Sequence, residues 1–183
     1  MNYQEYKQLF DDLLEAENPV YPYTDEMYLS YTKLNRSRVR RWDKQLHLDD
    51  VLVQKLQKMS APQHWIIITE PWCGDAAHIV PFLMVMVDQN PLITYDIYLR
   101  DTEPFLIDSY LTAGTKSIPK LVVRDANGED IFDWGPRPKG AQELVNQLKL
   151  ANADFEEMKT ALQYWYNEDR GKSLCQELSA FYQ

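Results

Sequence analysis

Residues 69–78 read TEPWCGDAAH, and the organisation of the chain follows from this stretch. It comes directly after the most apolar short run of the sequence, Trp65–Ile68, and it opens a segment with helical periodicity. This pattern predicts the junction between a buried strand and a helix. A cysteine at such a junction meets unpaired backbone N–H groups and the positive end of the helix dipole, which both favour thiolate over thiol. The stretch therefore predicts a reactive cysteine, Cys73.

The bulk composition indicates one globular domain with a sizeable core. The chain has 183 residues, of which 45% are hydrophobic and 26% charged. Its net charge of −9 argues against binding to nucleic acid or to an anionic membrane, because both partners attract cationic surfaces.

No pair of His or Cys residues has metal-ligand spacing, so the sequence predicts neither a metal site nor a cofactor.

The two cysteines, Cys73 and Cys175, are too far apart in sequence and too few to form a disulfide framework. A reducing compartment fits this usage. The N-terminus has no basic segment followed by an apolar one, and no window approaches the length of a membrane span. We therefore expect a cytoplasmic protein without membrane association.

Alternating strand and helix signals begin at Trp65 and are flanked by helices on both sides. Three amphipathic helices are predicted before this point: one over about residues 3–17, one capped by Thr24 or Asp25, and one opened by Asp49-Asp50. The elements predicted from Trp65 onward are a strand at 65–69, the Cys73 helix ending at 90–91, a strand at 93–99, a short helix at 105–111, strands at 121–123 and 130–134 joined by a hairpin at 125–128, and a helix at 138–150. Helical periodicity returns from Phe155, with an interruption at Gly171.

Several motifs within this order carry a family resemblance. They are Trp72-Cys73-Gly74, Pro81, Gly114, Ser117-Ile118-Pro119, Asn127-Gly128 and Gly135. On these residues, approximately 62–150 of the chain resembles the thioredoxin superfamily, and the closest likeness is to a bacterial subgroup with Glu-Pro-Trp-Cys-Gly-Asp and Trp-Gly-Pro-Arg-Pro sequences. The resemblance implies an α/β thioredoxin-like fold, with βαβ and ββα units around a central mixed sheet. It also implies a kink at Pro81 and a cis bond before Pro119, beside the thiol.

The same stretch departs from the family pattern at positions that matter for chemistry. Ala76 stands where the family has its second, resolving cysteine, and Asp75 stands where it has proline. Ile67 replaces the buried acid that assists proton transfer in many thioredoxins. Dithiol exchange needs a resolving thiolate within reach of the mixed disulfide, and alanine supplies none. The ordinary thioredoxin cycle is therefore excluded within this motif.

Two functional hypotheses follow. In the first, the protein is a monothiol thioredoxin-like oxidoreductase, whose Cys73 attacks a protein disulfide or a low-molecular-weight thiol adduct and is released by an external thiol. The predicted substrate-binding residues are Trp72, Gly74, Asp75, Ile118 and Pro119. In the second, the fold has lost redox turnover and binds an extended peptide or a partner protein in the groove between Trp72 and Pro119.

The domain organisation expected from these patterns has three parts: an N-terminal helical extension over 1–61, a thioredoxin-like domain over 62–150, and a C-terminal helical extension over 151–183. We expect the extensions to cover sheet edges or to narrow the site.

Five features have simpler structural interpretations beside functional ones. Cys73 itself could be a small buried packing residue. His78 is expected on the helix surface or at an interface rather than as a catalytic base. Cys175 is expected in the core, with a distant resolving thiol as the alternative. Glu70 is expected to cap a loop, and the arginines of residues 36–41 are expected to form a solvated or salt-bridged face.

Overall fold

A four-stranded mixed sheet with the order β2-β1-β3-β4 forms the centre of the fold in the computed structural model, which describes residues 1–182. β1 pairs in parallel with β2 and antiparallel with β3, and β3 pairs antiparallel with β4. The strands are β1 (Gln63–Thr69), β2 (Ile93–Leu99), β3 (Lys120–Arg124) and β4 (Asp130–Trp134). This arrangement of βαβ and ββ units confirms the predicted α/β fold with a mixed sheet.

Seven α-helices accompany the sheet within the described residues. They are α1 (Tyr3–Glu15), α2 (Glu26–Gln45), α3 (Asp50–Lys58), α4 (Gly74–Val87), α5 (Lys139–Leu150), α6 (Phe155–Asp169) and α7 (Lys172–Ser179). The predicted short helix near residue 105 is a single 3-10 turn, Leu106–Ser109, and the first helix ends at Glu15 rather than near residue 17. Asp25 and Asp49 accept backbone N–H groups at the starts of α2 and α3, which is the predicted capping.

The central helix α4 is buried on nearly every side. It connects the parallel strands β1 and β2, and the long helix α2 packs across it. Because α4 lies between the sheet and α2, almost every one of its residues is buried, and the helix accordingly has hydrophobic residues all round. The first turn of α4 is thereby held between α2 and the loop that precedes β3, which fixes the position of Cys73.

The helices at the two ends of the chain join the same hydrophobic core as the sheet. Tyr6 and Phe10 of α1, Leu52 of α3, and Leu174 and Leu178 of α7 are all fully buried in it. α7 packs against α3, whereas α6 packs against α5. As a consequence, α2 and α6 come to lie on either side of the start of α4.

Candidate functional site

Cys73 is the N-cap residue of α4, at the junction that the sequence predicted. Its Sγ accepts a long hydrogen bond from the Ala76 N–H at 3.5 Å, as an N-cap side chain does. The thiol in turn donates to the carbonyl oxygen of Ile118 at 3.4 Å. A thiol that donates to a carbonyl carries its proton, so this geometry belongs to the neutral form of Cys73.

Burial and a neighbouring negative charge both oppose the thiolate form of Cys73. Only 6% of the residue is exposed, and burial, reinforced by the negative charge of Asp75, raises the pKa of the Cys73 thiol to about 12. The N-terminus of a helix stabilises a nearby anion by about 0.3–1 kcal/mol, up to about 2 in buried geometries. Removing an anion from water costs more than this, so desolvation outweighs the helix dipole.

Asp75 is held in a buried cluster that joins three parts of the chain. Its Oδ2 forms an ion pair with Nη2 of Arg137 at 2.7 Å, and its Oδ1 accepts the hydroxyl of Tyr166 at 2.7 Å. Arg137 lies in the loop between β4 and α5, and Tyr166 lies in α6. The negative charge beside the thiol is therefore fixed in place by the C-terminal half of the chain.

Ile118 and Pro119 lie where the chain enters β3, directly opposite Cys73. The Ile118–Pro119 peptide bond is cis. Ile118 lines the cavity in front of the thiol, whereas Pro119 is buried behind it and does not line that cavity. Pro119 instead packs closely against the backbone of Gly135, which has a positive φ of 124°.

A cavity of about 680 Å³ opens in front of Cys73. Four of the other predicted site residues line this Cys73 cavity: Trp72, Gly74, Asp75 and Ile118. The Trp72 ring forms part of its wall, with the guanidinium of Arg100 4.6 Å from the ring centroid on one side and Tyr28 at 5.4 Å, edge to face, on another. A cavity of this size is typical of small-molecule sites.

The flanking helices α2 and α6 bring side chains to the Cys73 cavity that the sequence motifs did not indicate. From α2 come Tyr28, Tyr31 and Arg38, and from α6 come Met158 and Leu162. The residues of α2 are separated by three and seven positions, which places them on one face of a helix. That face could have been found as a pattern, but only the tertiary structure shows that it turns toward Cys73.

The charges that line the Cys73 cavity are mostly positive. The cationic residues are Arg38, Arg100, Lys116, Arg137, Lys149 and Lys159, and Asp75 is the one acid among the lining residues. This distribution is opposite to that of the whole protein, whose net charge is −9. The cavity therefore has a local electrostatic character that composition does not reveal.

Of the two positions expected for His78, the structure shows the interface and not the helix surface. His78 is 4% exposed, because Trp42 of α2 covers it on one side and Tyr166 of α6 stacks on it with ring centroids 4.5 Å apart. Trp42 Nε1 donates to His78 Nδ1 at 2.9 Å, and Nε2 lies 3.3 Å from Oε1 of Gln163. Because an indole N–H is only a donor, Nδ1 is unprotonated and the imidazole is neutral.

This environment makes His78 a source of acid sensitivity. Burial and the charge of Arg38 lower the pKa of His78 to about 3. The unfolded chain binds a proton here below about pH 6.5 and the folded protein does not, so stability falls as the pH drops from 6.5 toward 3. We expect the wild type to lose about 2 kcal/mol more unfolding free energy than His78→Gln between about pH 8 and pH 5, measured by urea denaturation.

Comparison with the His78→Gln variant is needed because Glu70 changes the stability in the opposite direction over the same pH range. Its buried carboxylate accepts the Asp101 N–H at 3.0 Å and the Tyr23 hydroxyl at 3.4 Å, and burial raises its pKa to about 7. Because the folded protein holds this proton more tightly than the unfolded chain does, the contribution of Glu70 to the unfolding free energy is full below about pH 4.5 and is lost as the pH rises through 7. Equal pH dependence in the wild type and His78→Gln would show that His78 is not held neutral.

The remaining predictions concern Cys175, expected in the core, and the arginines of residues 36–41, expected on the surface. Cys175 is buried in α7, which packs against α3, and it does not line the Cys73 cavity. Arg36 and Arg40 form ion pairs with Asp11, as expected for a salt-bridged face, but Arg38 of the same run turns into the Cys73 cavity. The simple surface interpretation of the basic run is therefore wrong for Arg38.

Neither a metal cluster nor a membrane span is found in the described part of the chain. Within residues 1–182, no group of three or more His, Cys, Asp or Glu side chains is placed to hold a metal ion. Over the same residues, no helix combines the length and the apolar character needed to cross a membrane.

Comparisons with known proteins agree with this architecture. A crystal structure of a Pseudomonas aeruginosa protein of unknown function matches with a TM-score of 0.53 and 18% identity, covering 78% of this chain and 90% of that one. A crystal structure of an HIV epitope scaffold matches with a TM-score of 0.58 and 16% identity, covering 85% and 94%. At these identities the likeness concerns the fold alone. No curated protein matches the chain.

The family of the protein follows from a comparison of its sequence with family models. A family model described as Thioredoxin matches residues 22–152, which extends beyond the sheet and α4 to include α2 with its cavity-lining face. Because this match spans well over half of the chain and the sheet has the βαβ and ββα arrangement around an N-capping cysteine, the protein belongs to the thioredoxin superfamily.

Proposed function

We propose that this protein is a thioredoxin-fold binding protein, which holds a ligand in the Cys73 cavity without turning over disulfides. The observation that carries the proposal is the state of the thiol: Cys73 is buried, and its proton is donated to the Ile118 carbonyl oxygen. A nucleophilic cysteine has to be present as thiolate, and the raised pKa of about 12 leaves almost none at neutral pH. The cavity itself is large enough for a ligand.

The absence of a second thiol near Cys73 supports the same proposal. Ala76 occupies the position of the resolving cysteine, and its contribution to Cys73 is a backbone N–H. Cys175 is buried against α3 and lines no part of the Cys73 cavity. Release of a mixed disulfide on Cys73 would therefore depend on an external thiol that enters the cavity.

The second candidate is monothiol exchange, and one contact favours it. The Ala76 N–H points at Sγ, and this bond stabilises a thiolate more than a thiol. In this mechanism the Cys73 thiolate attacks a sulfur of a protein disulfide or of a low-molecular-weight thiol adduct and expels the other sulfur as thiolate. An external thiolate then attacks the mixed disulfide and restores Cys73.

Alkylation of the native protein separates the two functions. We expect iodoacetamide to modify Cys73 on the order of a thousandfold more slowly than a free cysteine near pH 8, because the thiolate fraction falls tenfold for each unit of raised pKa. The rate is measured by mass spectrometry in a Cys175→Ser background, so that Cys73 is the thiol observed. The Cys73→Ser variant gives the blank. A rate that titrates with a pKa of about 8.5 or lower would overturn the binding proposal in favour of monothiol exchange.

A further inference from the structure

Arg38 is a half-buried cation without an anionic partner. Its Nη1 donates to Oδ1 of Asn35 at 2.8 Å, and within residues 1–182 no carboxylate lies within ion-pair distance of it. Its neighbours Arg36 and Arg40 both pair with Asp11. Asp75 acts on Arg38 only from beyond ion-pair distance, and burial and the charge of Arg41 both lower the pKa of Arg38. Partly withdrawing a guanidinium from water without a paired carboxylate is costly, so Arg38 is placed to gain from an anion supplied by a ligand.

The position of Arg38 directs such an anion to the start of α4. Its Nη1 lies 3.5 Å from the point where a Cβ on Gly74 would be, so the guanidinium covers the first turn of the helix beside Cys73. Arg38, Cys73 and Gly74 therefore line the same part of the Cys73 cavity.

Most of the other cations that line the Cys73 cavity already have a carboxylate partner. Arg100, Lys116 and Lys159 pair with carboxylates that do not themselves line the cavity, namely Asp101, Asp108 and Glu156. Arg137 pairs with Asp75. Among residues 1–182, the exposed Lys149 joins Arg38 in having no carboxylate within ion-pair distance. Arg38 and Lys149 are therefore the lining cations whose charge is left for a ligand to pair with.

An apolar wall faces the charged one. It consists of Tyr28 and Tyr31 from α2 and of Phe155, Met158 and Leu162 from α6. The Tyr31 and Phe155 rings meet edge to face at 6.4 Å, which joins the two helices across this wall. Aromatic and methionine side chains bind planar or flexible apolar groups well. A ligand that satisfies both walls has an apolar body and an anionic end.

We propose that the Cys73 cavity binds a low-molecular-weight organic carboxylate with an apolar or aromatic body, whose carboxylate pairs with Arg38. This inference rests on the proposed binding role and names the class of ligand. Arginine matches a carboxylate with two parallel N–H donors, which lysine does not. The apolar body lies against the walls from α2 and α6, and the volume of about 680 Å³ accommodates a molecule of drug-like size.

The experiment compares two fluorescent probes that differ only in charge. The probes are 1-pyrenebutyrate and the alcohol 1-pyrenebutanol, each titrated with the wild-type protein at low ionic strength. We expect the acid to bind at least about tenfold more tightly than the alcohol, a difference of about 1.4 kcal/mol, because a hydrogen bond to a charged group is stronger than one to a neutral group. Equal affinities, or no binding of the acid up to about 1 mM, would overturn the inference.

Three variants assign the preference to Arg38. Arg38→Gln is expected to lower the affinity for the acid about tenfold and to leave the affinity for the alcohol unchanged. Arg40→Gln removes the same charge from the same helix outside the Cys73 cavity, and is expected to keep the preference. Lys149 is exposed, so Lys149→Gln is expected to fold and serves as the test if Arg38→Gln does not fold. It is expected to lower the affinity for the acid about two- to threefold. Retention of the full preference in a folded Arg38→Gln, or in Lys149→Gln where Arg38→Gln does not fold, would contradict the proposed site.

The same titrations in Cys73→Ser separate this inference from the proposed function. The inference predicts that the acid preference is retained, because it depends on Arg38 and not on the thiol. Fast Cys73 alkylation together with a retained preference would overturn only the non-catalytic role. Slow alkylation together with equal affinities for acid and alcohol would overturn only the ligand class.

Discussion

Replacing Gly135 with alanine is expected to lower the unfolding free energy by about 3 kcal/mol or more. Gly135 has a φ of 124°, in a region that side chains disfavour. A Cβ there would overlap the carbonyl oxygen of Pro119 and would lie 3.3 Å from the Cα of Lys120. These are backbone atoms at the start of β3, so neither neighbour can rotate away and the strand itself has to move. Urea denaturation of Gly135→Ala measures the loss.

Gly114→Ala is the matched control. Gly114 also has a positive φ, 76°, but a Cβ added to it meets no heavy atom within 4 Å. We expect this variant to lose only the conformational cost, about 1 kcal/mol. The difference between the two variants then measures the clash with the Pro119 backbone. Equal losses would mean that Gly135 is required for its φ alone.

The second large effect concerns the reactivity of Cys73. Asp75→Asn is expected to speed alkylation of Cys73 by about tenfold or more near pH 8. The negative charge of Asp75 contributes, after burial, to the raised pKa of the thiol. The variant removes this charge and leaves the positive charge of Arg137 uncompensated, and both changes favour thiolate. The alkylation rate as a function of pH measures the shift.

The same substitution carries a cost in stability. Arg137 loses its carboxylate partner, and breaking a buried ion pair costs about 3–5 kcal/mol when the remaining charge stays buried. Because 24% of the Arg137 side chain is exposed and water can solvate part of the remaining charge, we expect a smaller loss than this, about 2–3 kcal/mol. Tyr166→Phe is the control, since it removes a hydrogen bond to Asp75 without changing any charge. An equal gain in reactivity in Tyr166→Phe would point to loosened packing rather than electrostatics.

The architecture of the core was predictable because its signals are local. The alternation and apolarity of residues 65–69 and 93–99, the hairpin at 125–128 and the caps Asp25 and Asp49 all act over a few residues. The errors fall where local periodicity continues past the end of an element, as at residues 16–17. The 3-10 turn Leu106–Ser109 is a further case, since a short periodic segment does not determine its own hydrogen-bonding pattern.

The chemistry of the site was less predictable, because it depends on groups far apart in sequence. The sequence left His78 between the helix surface and an interface, and only the packing of α2 and α6 buries it between Trp42 and Tyr166. Arg38 appeared to belong to a solvated basic run, although it alone of that run faces the Cys73 cavity without a carboxylate partner. Neither outcome follows from helical periodicity, which gives the face of a residue and not what lies opposite to it.

By itself, the stretch TEPWCGDAAH determined a strand, a helix start and a single cysteine at the N-cap, because these follow from local hydrophobicity and capping. It also determined that the ordinary dithiol cycle is excluded, since Ala76 carries no sulfur. The tertiary structure alone decided the state of that cysteine. Burial and the fixed charge of Asp75 raise the pKa of the thiol, because desolvation of an anion outweighs the field of one helix end.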